Sequence, residues 1–182
     1  MKINNLKGRL NKIKLLVFDV DGVLTDGKIN LIGENEEMKS FYCKDFPRLT
    51  TAMRSGLKIV LFTGRKGSAV IRRAKDLNAD IIFKREIKER GVFFYDELKN
   101  LYGVTPSEVL YTGDDWNDLY LMKQAGVSVT PGNGSSENKK IAHIITKAKG
   151  GEGVAAETVE ILMRARGTWD KYKNEYLKEL MF

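Results

Sequence analysis

One stretch constrains this chain more than any other: the apolar run Leu15-Leu16-Val17-Phe18, which ends in Asp19-Val20-Asp21-Gly22. Four apolar residues without polar alternation predict a strand covered on both faces, as in a parallel sheet. Side chains two positions apart on extended backbone point the same way. Asp19 and Asp21 therefore project together beyond the strand's carboxyl end, the edge where open α/β sheets bind ligands. Carboxylates held so close repel, and such a pair serves to hold a cation or to divide nucleophile and acid roles. Two solvated turn aspartates are the simpler alternative, since turns are rich in Asp and Gly. The downstream motifs weigh against it.

Further apolar runs follow at regular intervals. A β-hairpin is expected over 27–42, around a turn at Gly33-Glu34-Asn35, and a helix from Asp45 to Ser55 with Pro47 in its first turn. Leu57–Phe62, Ile81–Phe83, Val109–Thr112, Val127–Val129 and His143–Thr146 read as strands. Helices are expected over 68–77, from about Lys88 to Leu101, over 119–124, near 135–142 and over 154–165. A polar lead-in covers 2–13. This alternation of strand and helix argues for a parallel sheet with helices on both faces. With no repeat or linker, residues 1–182 read as one domain, carrying a hairpin flap at about 27–43 and a helical tail at about 166–182.

Composition narrows the classes. No apolar run is long enough to span a bilayer and no signal-like core follows the basic start, so a cytoplasmic protein without a membrane partner is expected. One cysteine, Cys43, rules out an internal disulfide, and it reads as a packed thiol. The formal charge of +7, from 31 basic and 24 acidic residues, suits an anionic substrate. It is spread without a dense basic block, which argues against nucleic acid.

Three strands end in polar clusters: Asp19 and Asp21, Thr63-Gly64-Arg65, and Asp114-Asp115 with Asp118. Parallel strands share one carboxyl edge, so these groups can converge. A hydroxyl, carboxylates and glycine-exposed amides would hold Mg²⁺ and a phosphoryl group, since hard oxygen ligands suit that ion.

DVDGV resembles the first signature motif of the haloacid dehalogenase-like phosphatases, LFTGR their second, and GDDWND their fourth, in family order over about residues 13–165. Within that superfamily DVDGVLTDG, the hairpin, TGR, GDDxxD and GGxG are most similar to 3-deoxy-D-manno-octulosonate 8-phosphate phosphatases and their nonulosonate 9-phosphate relatives. The resemblance implies a Rossmann-like three-layer sandwich with a mostly parallel sheet, capless, with a hairpin flap after the first strand. It implies a Mg²⁺-dependent phosphomonoester hydrolase for a phosphorylated sugar acid, in lipopolysaccharide biosynthesis. Asp19 would be the nucleophile and Asp21 the acid and base. Asp19, the Asp21 carbonyl and Asp114 would hold Mg²⁺, with Asp115 and Asp118 orienting them. Thr63 and Gly64 would bind phosphoryl oxygens, with Arg65 also in the site. The family's hairpin packs in a homotetramer over the next subunit's site, so Ile29, Leu31, Met38 and Phe41 would be interface residues.

Three departures stand out. The third-motif lysine is replaced by Arg90 in the family register, with Lys88 as the other candidate. Asp45-Phe46-Pro47-Arg48 stands where an Asp-Gly pair is usual, and Ala156 where an arginine reaches the substrate. Rival readings are a broad-range or macromolecule-directed capless phosphatase, and a catalytically weak oligomerising or regulatory domain. Outside the motifs, His143 reads as a structural imidazole, Arg72 and Arg73 as a solvated helix face, and the tail from Trp169 as packing on a partner. Trp116 fits either the pocket or packing.

Overall fold

The computed structural model describes residues 3–32, 36–84 and 94–181. Its apolar run forms strand β1 (Leu15–Asp19), and all of its residues are buried. Helix α1 (Ile3–Lys12) precedes it; a hairpin of β2 (Asn30–Ile32) and β3 (Glu36–Met38) and helix α2 (Asp45–Arg54) follow. The chain continues through β4 (Lys58–Thr63), α3 (Ser68–Leu77), β5 (Asp80–Phe83), α4 (Phe94–Tyr102) and β6 (Val109–Thr112). It ends with α5 (Leu119–Gln124), β7 (Val127–Thr130), α6 (Ser136–Ile141), β8 (Ile144–Ile145), α7 (Val154–Ala165) and α8 (Trp169–Leu180). The expected hairpin turn, the start of the helix expected from Lys88, and both third-motif candidates, Lys88 and Arg90, lie outside the described residues.

Six strands form one sheet in the order β5-β4-β1-β6-β7-β8, and every pairing is parallel. The chain builds outward from β1 on one side, then crosses back to build the other. That reversal places β1 between β4 and β6, with their carboxyl ends around one crevice. The pleat splits β1 between two cores: Leu16 and Phe18 join Leu49, Leu61, Val159 and Leu162, while Leu15 and Val17 join Phe62, Phe94, Leu98 and Tyr111. A strand buried on both faces needs no alternation, which is why LLVF reads as one unbroken run. The described residues between β1 and β4 hold only the hairpin and α2, so no cap domain is inserted there.

The tail corrects one expectation. Trp169 is buried in the chain's own core, and α8 is tied to α2 by Arg54, whose guanidinium meets Glu179 at 2.6 Å and lies over the Tyr176 ring. Trp169 thus packs within its own chain, while Leu177, Leu180 and Met181 farther along the tail are exposed. Cys43 is exposed rather than packed, because it sits in the turn that feeds α2, where the Asp45 amide donates to the Tyr42 carbonyl.

Asp45 ties α2 to α7. It is buried, and its Oδ1 accepts the Ala156 amide at 2.8 Å in the first turn of α7. Burial pushes its carboxyl up to about 6, against the opposing pull of that amide and of Arg73 and Arg48. The folded chain thus binds this proton more readily than the unfolded one. Its contribution to stability is full below about pH 4 and is lost as pH rises through about 6. Asp45→Asn keeps an acceptor oxygen and removes the charge, so it raises the thermal midpoint above neutrality by several degrees and flattens the pH profile. Melting curves from about pH 4 to pH 8 check this. Parallel profiles for the two proteins would contradict it.

Candidate active site

The crevice is built from strand ends. Asp19 closes β1 and is buried; Thr63 closes β4 beside it; Gly113 and Asp114 follow β6 on the other side. Past Asp19 the backbone leaves the strand in a wide turn, Val20–Leu24, with Asp21 at φ −84°, ψ 106° and Gly22 at φ +98°. Only glycine takes that conformation cheaply. It is also required sterically, because a Cβ on Gly22 would stand 2.1 Å from Asp114 Oδ2. Gly113 serves Asp118 likewise, a Cβ there falling 2.4 Å from its carboxyl carbon. The glycines of DVDG and GDD are what let carboxylates from two loops approach.

Oxygens of Asp19, Asp114 and Asp118 lie within 4.8 Å of one another. Asp118 is anchored by its neighbours: Oδ1 accepts the Tyr111 hydroxyl at 2.8 Å, and Oδ2 accepts the amides of Asp114 at 3.0 Å and Asp115 at 3.3 Å. Burial, then the charges of Asp118, Asp115 and Asp21, push the Asp114 carboxyl up to about 7. So crowded a set of hard oxygens fits a divalent cation, whose charge would offset the repulsion. Asp114 and Asp19 are the residues that could ligate it, with Asp118 fixing the loop behind them. The Asp115 side chain is exposed; its main chain joins the site through the amide on Asp118 and a carbonyl that accepts Asn138 Nδ2 at 2.9 Å.

Asp21 points to a different set of groups. Its Oδ2 lies 3.5 Å from the Thr63 hydroxyl, which itself accepts the Arg65 amide at 3.1 Å. Its Oδ1 accepts the ammonium of Lys39, which follows β3 on the flap. Lys39 also lies 3.5 Å from Glu37, and the Arg65 guanidinium forks that same carboxylate, with Nε 3.0 Å from each oxygen. Pairing with Arg65 holds the Glu37 carboxyl below its ordinary range. Lys39 and Glu37 escaped the sequence reading, although the alternation of Glu37, Lys39 and Phe41 carried the signal: these three face inward, while Glu36, Met38 and Ser40 are exposed.

A model of the haloacid dehalogenase-like hydrolases matches residues 88–157. Over 171 residues the chain is 30% identical to the 3-deoxy-D-manno-octulosonate 8-phosphate phosphatase KdsC of Escherichia coli strain B, covering 94% of this chain and 90% of that one. This chain belongs to the haloacid dehalogenase-like phosphatases. Among solved structures, a probable YrbI family phosphatase from Pseudomonas syringae superposes with a TM-score of 0.88 at 34% identity, covering 96% of this chain and 98% of that one. The Moraxella catarrhalis 3-deoxy-D-manno-octulosonate 8-phosphate phosphatase, in complex with magnesium, phosphate and KDO, superposes with a TM-score of 0.88 at 30% identity. Coverage is 96% of this chain and 99% of that one.

In this KdsC-like phosphatase the glycine loop before α7 packs on the turn after β1: the Gly151 amide donates to the Val23 carbonyl at 3.1 Å, and a Cβ on Gly150 would strike the Gly22 carbonyl at 2.0 Å. Ala156 lines a groove of about 340 Å³ with Tyr42, Lys44 and Arg48, so cations stand beside this small residue. The Trp116 side chain is exposed and donates to Glu137 at 3.1 Å. His143 is structural, its Nδ1 accepting the Ser128 amide at 3.1 Å between β7 and β8. Arg72 is solvated as expected, but Arg73 lies over the rings of Phe41 and Phe46, covering the flap's inner end.

Proposed function

We propose that this chain is a Mg²⁺-dependent phosphomonoester hydrolase that works through Asp19 on a phosphorylated sugar acid. The substrate class is 3-deoxy-D-manno-octulosonate 8-phosphate or a related nonulosonate 9-phosphate. The observation that carries this reading is the meeting of Asp19, Asp114 and Asp118 around one point, with Asp21, in the turn after β1, beside Thr63 at the end of β4. The named substrate of the KdsC relative, and the ions and KDO held by the Moraxella enzyme, support the class.

Asp19 attacks phosphorus, forming an Asp19 O–P bond as the ester P–O bond breaks. Asp21 gives its proton to the departing alcohol oxygen, then takes one from the water that attacks the aspartyl-phosphate and regenerates Asp19. The Thr63 hydroxyl and Gly64 amide hold phosphoryl oxygens, and Arg65 stands at the rim. Mg²⁺ held by Asp19, the Asp21 carbonyl and Asp114 would neutralise charge on the transferring group. The third-motif cation is Arg90 or Lys88. Phosphate release across an octulosonate 8-phosphate, a nonulosonate 9-phosphate, hexose phosphates and an aryl phosphate tests the class. Preference for a sugar acid is expected; equal slow release from all would refute the assignment.

The same reading gives a cytoplasmic enzyme assembled as a homotetramer through its hairpin. Ile29, Leu31, Ile32 and Met38 are exposed there, and a two-stranded hairpin is marginal alone. Phe41, by contrast, turns inward onto the core and leaves the candidate interface. Leu31→Asp is expected to lower the particle mass in light scattering, whereas an unchanged mass would remove the flap from assembly.

A further inference from the structure

The flap carries a lysine into the crevice, and its placement is unusual for a surface hairpin. The Lys39 side chain is 2% exposed, although β2 and β3 on either side of the turn present their apolar residues to solvent. Burying an ammonium is unfavourable unless it is paired. Here it meets two carboxylates, Asp21 and Glu37. Glu37 in turn is gripped by the planar fork of Arg65, a geometry that fixes direction as well as charge. Four side chains of alternating sign thus run from the turn after β1, through the flap, to the loop after β4.

We propose that Lys39 is the positioning residue of Asp21, and that Glu37 and Arg65 fix Lys39 in place on the flap. The inference rests on the acid–base role given to Asp21 above. A carboxyl that protonates a leaving group must present one oxygen in one direction, and misplacement by about 1 Å costs on the order of 100-fold. Asp21 is held at both ends: Oδ1 by Lys39, Oδ2 near the Thr63 hydroxyl. Thr63 is the buried last residue of β4 in the sheet. Lys39 is carried by the flap, so the placement of the flap and the orientation of Asp21 are coupled.

The test uses leaving groups of different need. A primary-alcohol phosphate requires protonation by Asp21 as it departs, whereas p-nitrophenol leaves as an anion without it. First-turnover release is measured with the full-length Mg²⁺-loaded enzyme and its variants Lys39→Met, Glu37→Gln and Asp21→Asn. Lys39→Met is expected to lose about 100-fold on the alkyl phosphate and less than about tenfold on the aryl phosphate, with KM for either nearly unchanged. Glu37→Gln should show the same selectivity, smaller in size. Equal losses on both substrates, or no loss on the alkyl phosphate, would overturn the proposal. Asp21→Asn separates the two ideas. If it loses alkyl turnover while Lys39→Met and Glu37→Gln do not, the positioning role alone falls. If it keeps full alkyl turnover, the acid–base reading falls and the positioning role with it.

Discussion

Asp19→Asn lowers phosphate release by about six orders of magnitude, the scale seen when a covalent nucleophile is removed, and leaves the thermal midpoint close to that of the parent. The amide has the shape of the carboxylate, so the packing at the end of β1 survives. It has neither the charge nor the lone-pair basicity to attack phosphorus. It also relieves part of the repulsion around Asp114, which keeps the fold from weakening. Initial rates with an aryl phosphate, and melting curves on the same samples, check both halves. Activity within tenfold of the parent would show that another group opens the ester.

Asp114→Asn produces effects of opposite sign on stability and on activity. In the metal-free protein the half-buried Asp114 carboxyl is pushed up to about 7 by partial burial and its acidic neighbours. Its contribution to stability is therefore full below about pH 4 and is lost as pH rises through about 7. Asparagine removes that penalty, so the metal-free variant melts higher than the parent at about pH 8. The parent gains stability when Mg²⁺ is added, because a ligand that binds only the folded state shifts the equilibrium by mass action. The variant loses that gain along with at least about 100-fold of its activity. Paired melts with Mg²⁺ or with a chelator separate the cases. An unchanged Mg²⁺ response in the variant would place the cation away from Asp114.

Much of this was legible because the sheet is parallel and buried. Strands covered on both faces leave unbroken apolar runs, and the polar residues that end them mark one edge. The runs before Asp19, Thr63 and Gly113 became the three neighbouring strands β1, β4 and β6. Spacing could not tell Asp115 from Asp118, two acids of one motif of which the first is exposed and the second is buried and bonded to the Tyr111 hydroxyl. That difference arises from the short turn at Trp116–Asp118, which aims one side chain back beneath the loop. Lys39 and Glu37 were hidden for another reason. Their partners lie on Asp21 and Arg65, far along the chain, and only the fold-back of the flap brings them together. Arg73 was misread similarly, since helical spacing does not show that Phe41 and Phe46 arrive beneath it. Long-range pairing of charged residues leaves little trace in local periodicity.

In the proposed mechanism phosphate passes through the side chain of Asp19. The most direct measurement is to quench the Mg²⁺-loaded enzyme during turnover of an aryl phosphate, reduce the trapped acyl phosphate with borohydride, and map the altered residue by peptide mass spectrometry. Reduction should convert Asp19 alone to homoserine, and Asp19→Asn should show no such product. Unmodified Asp19 with phosphate still released, or modification at Asp21 or Asp114 instead, would contradict the account.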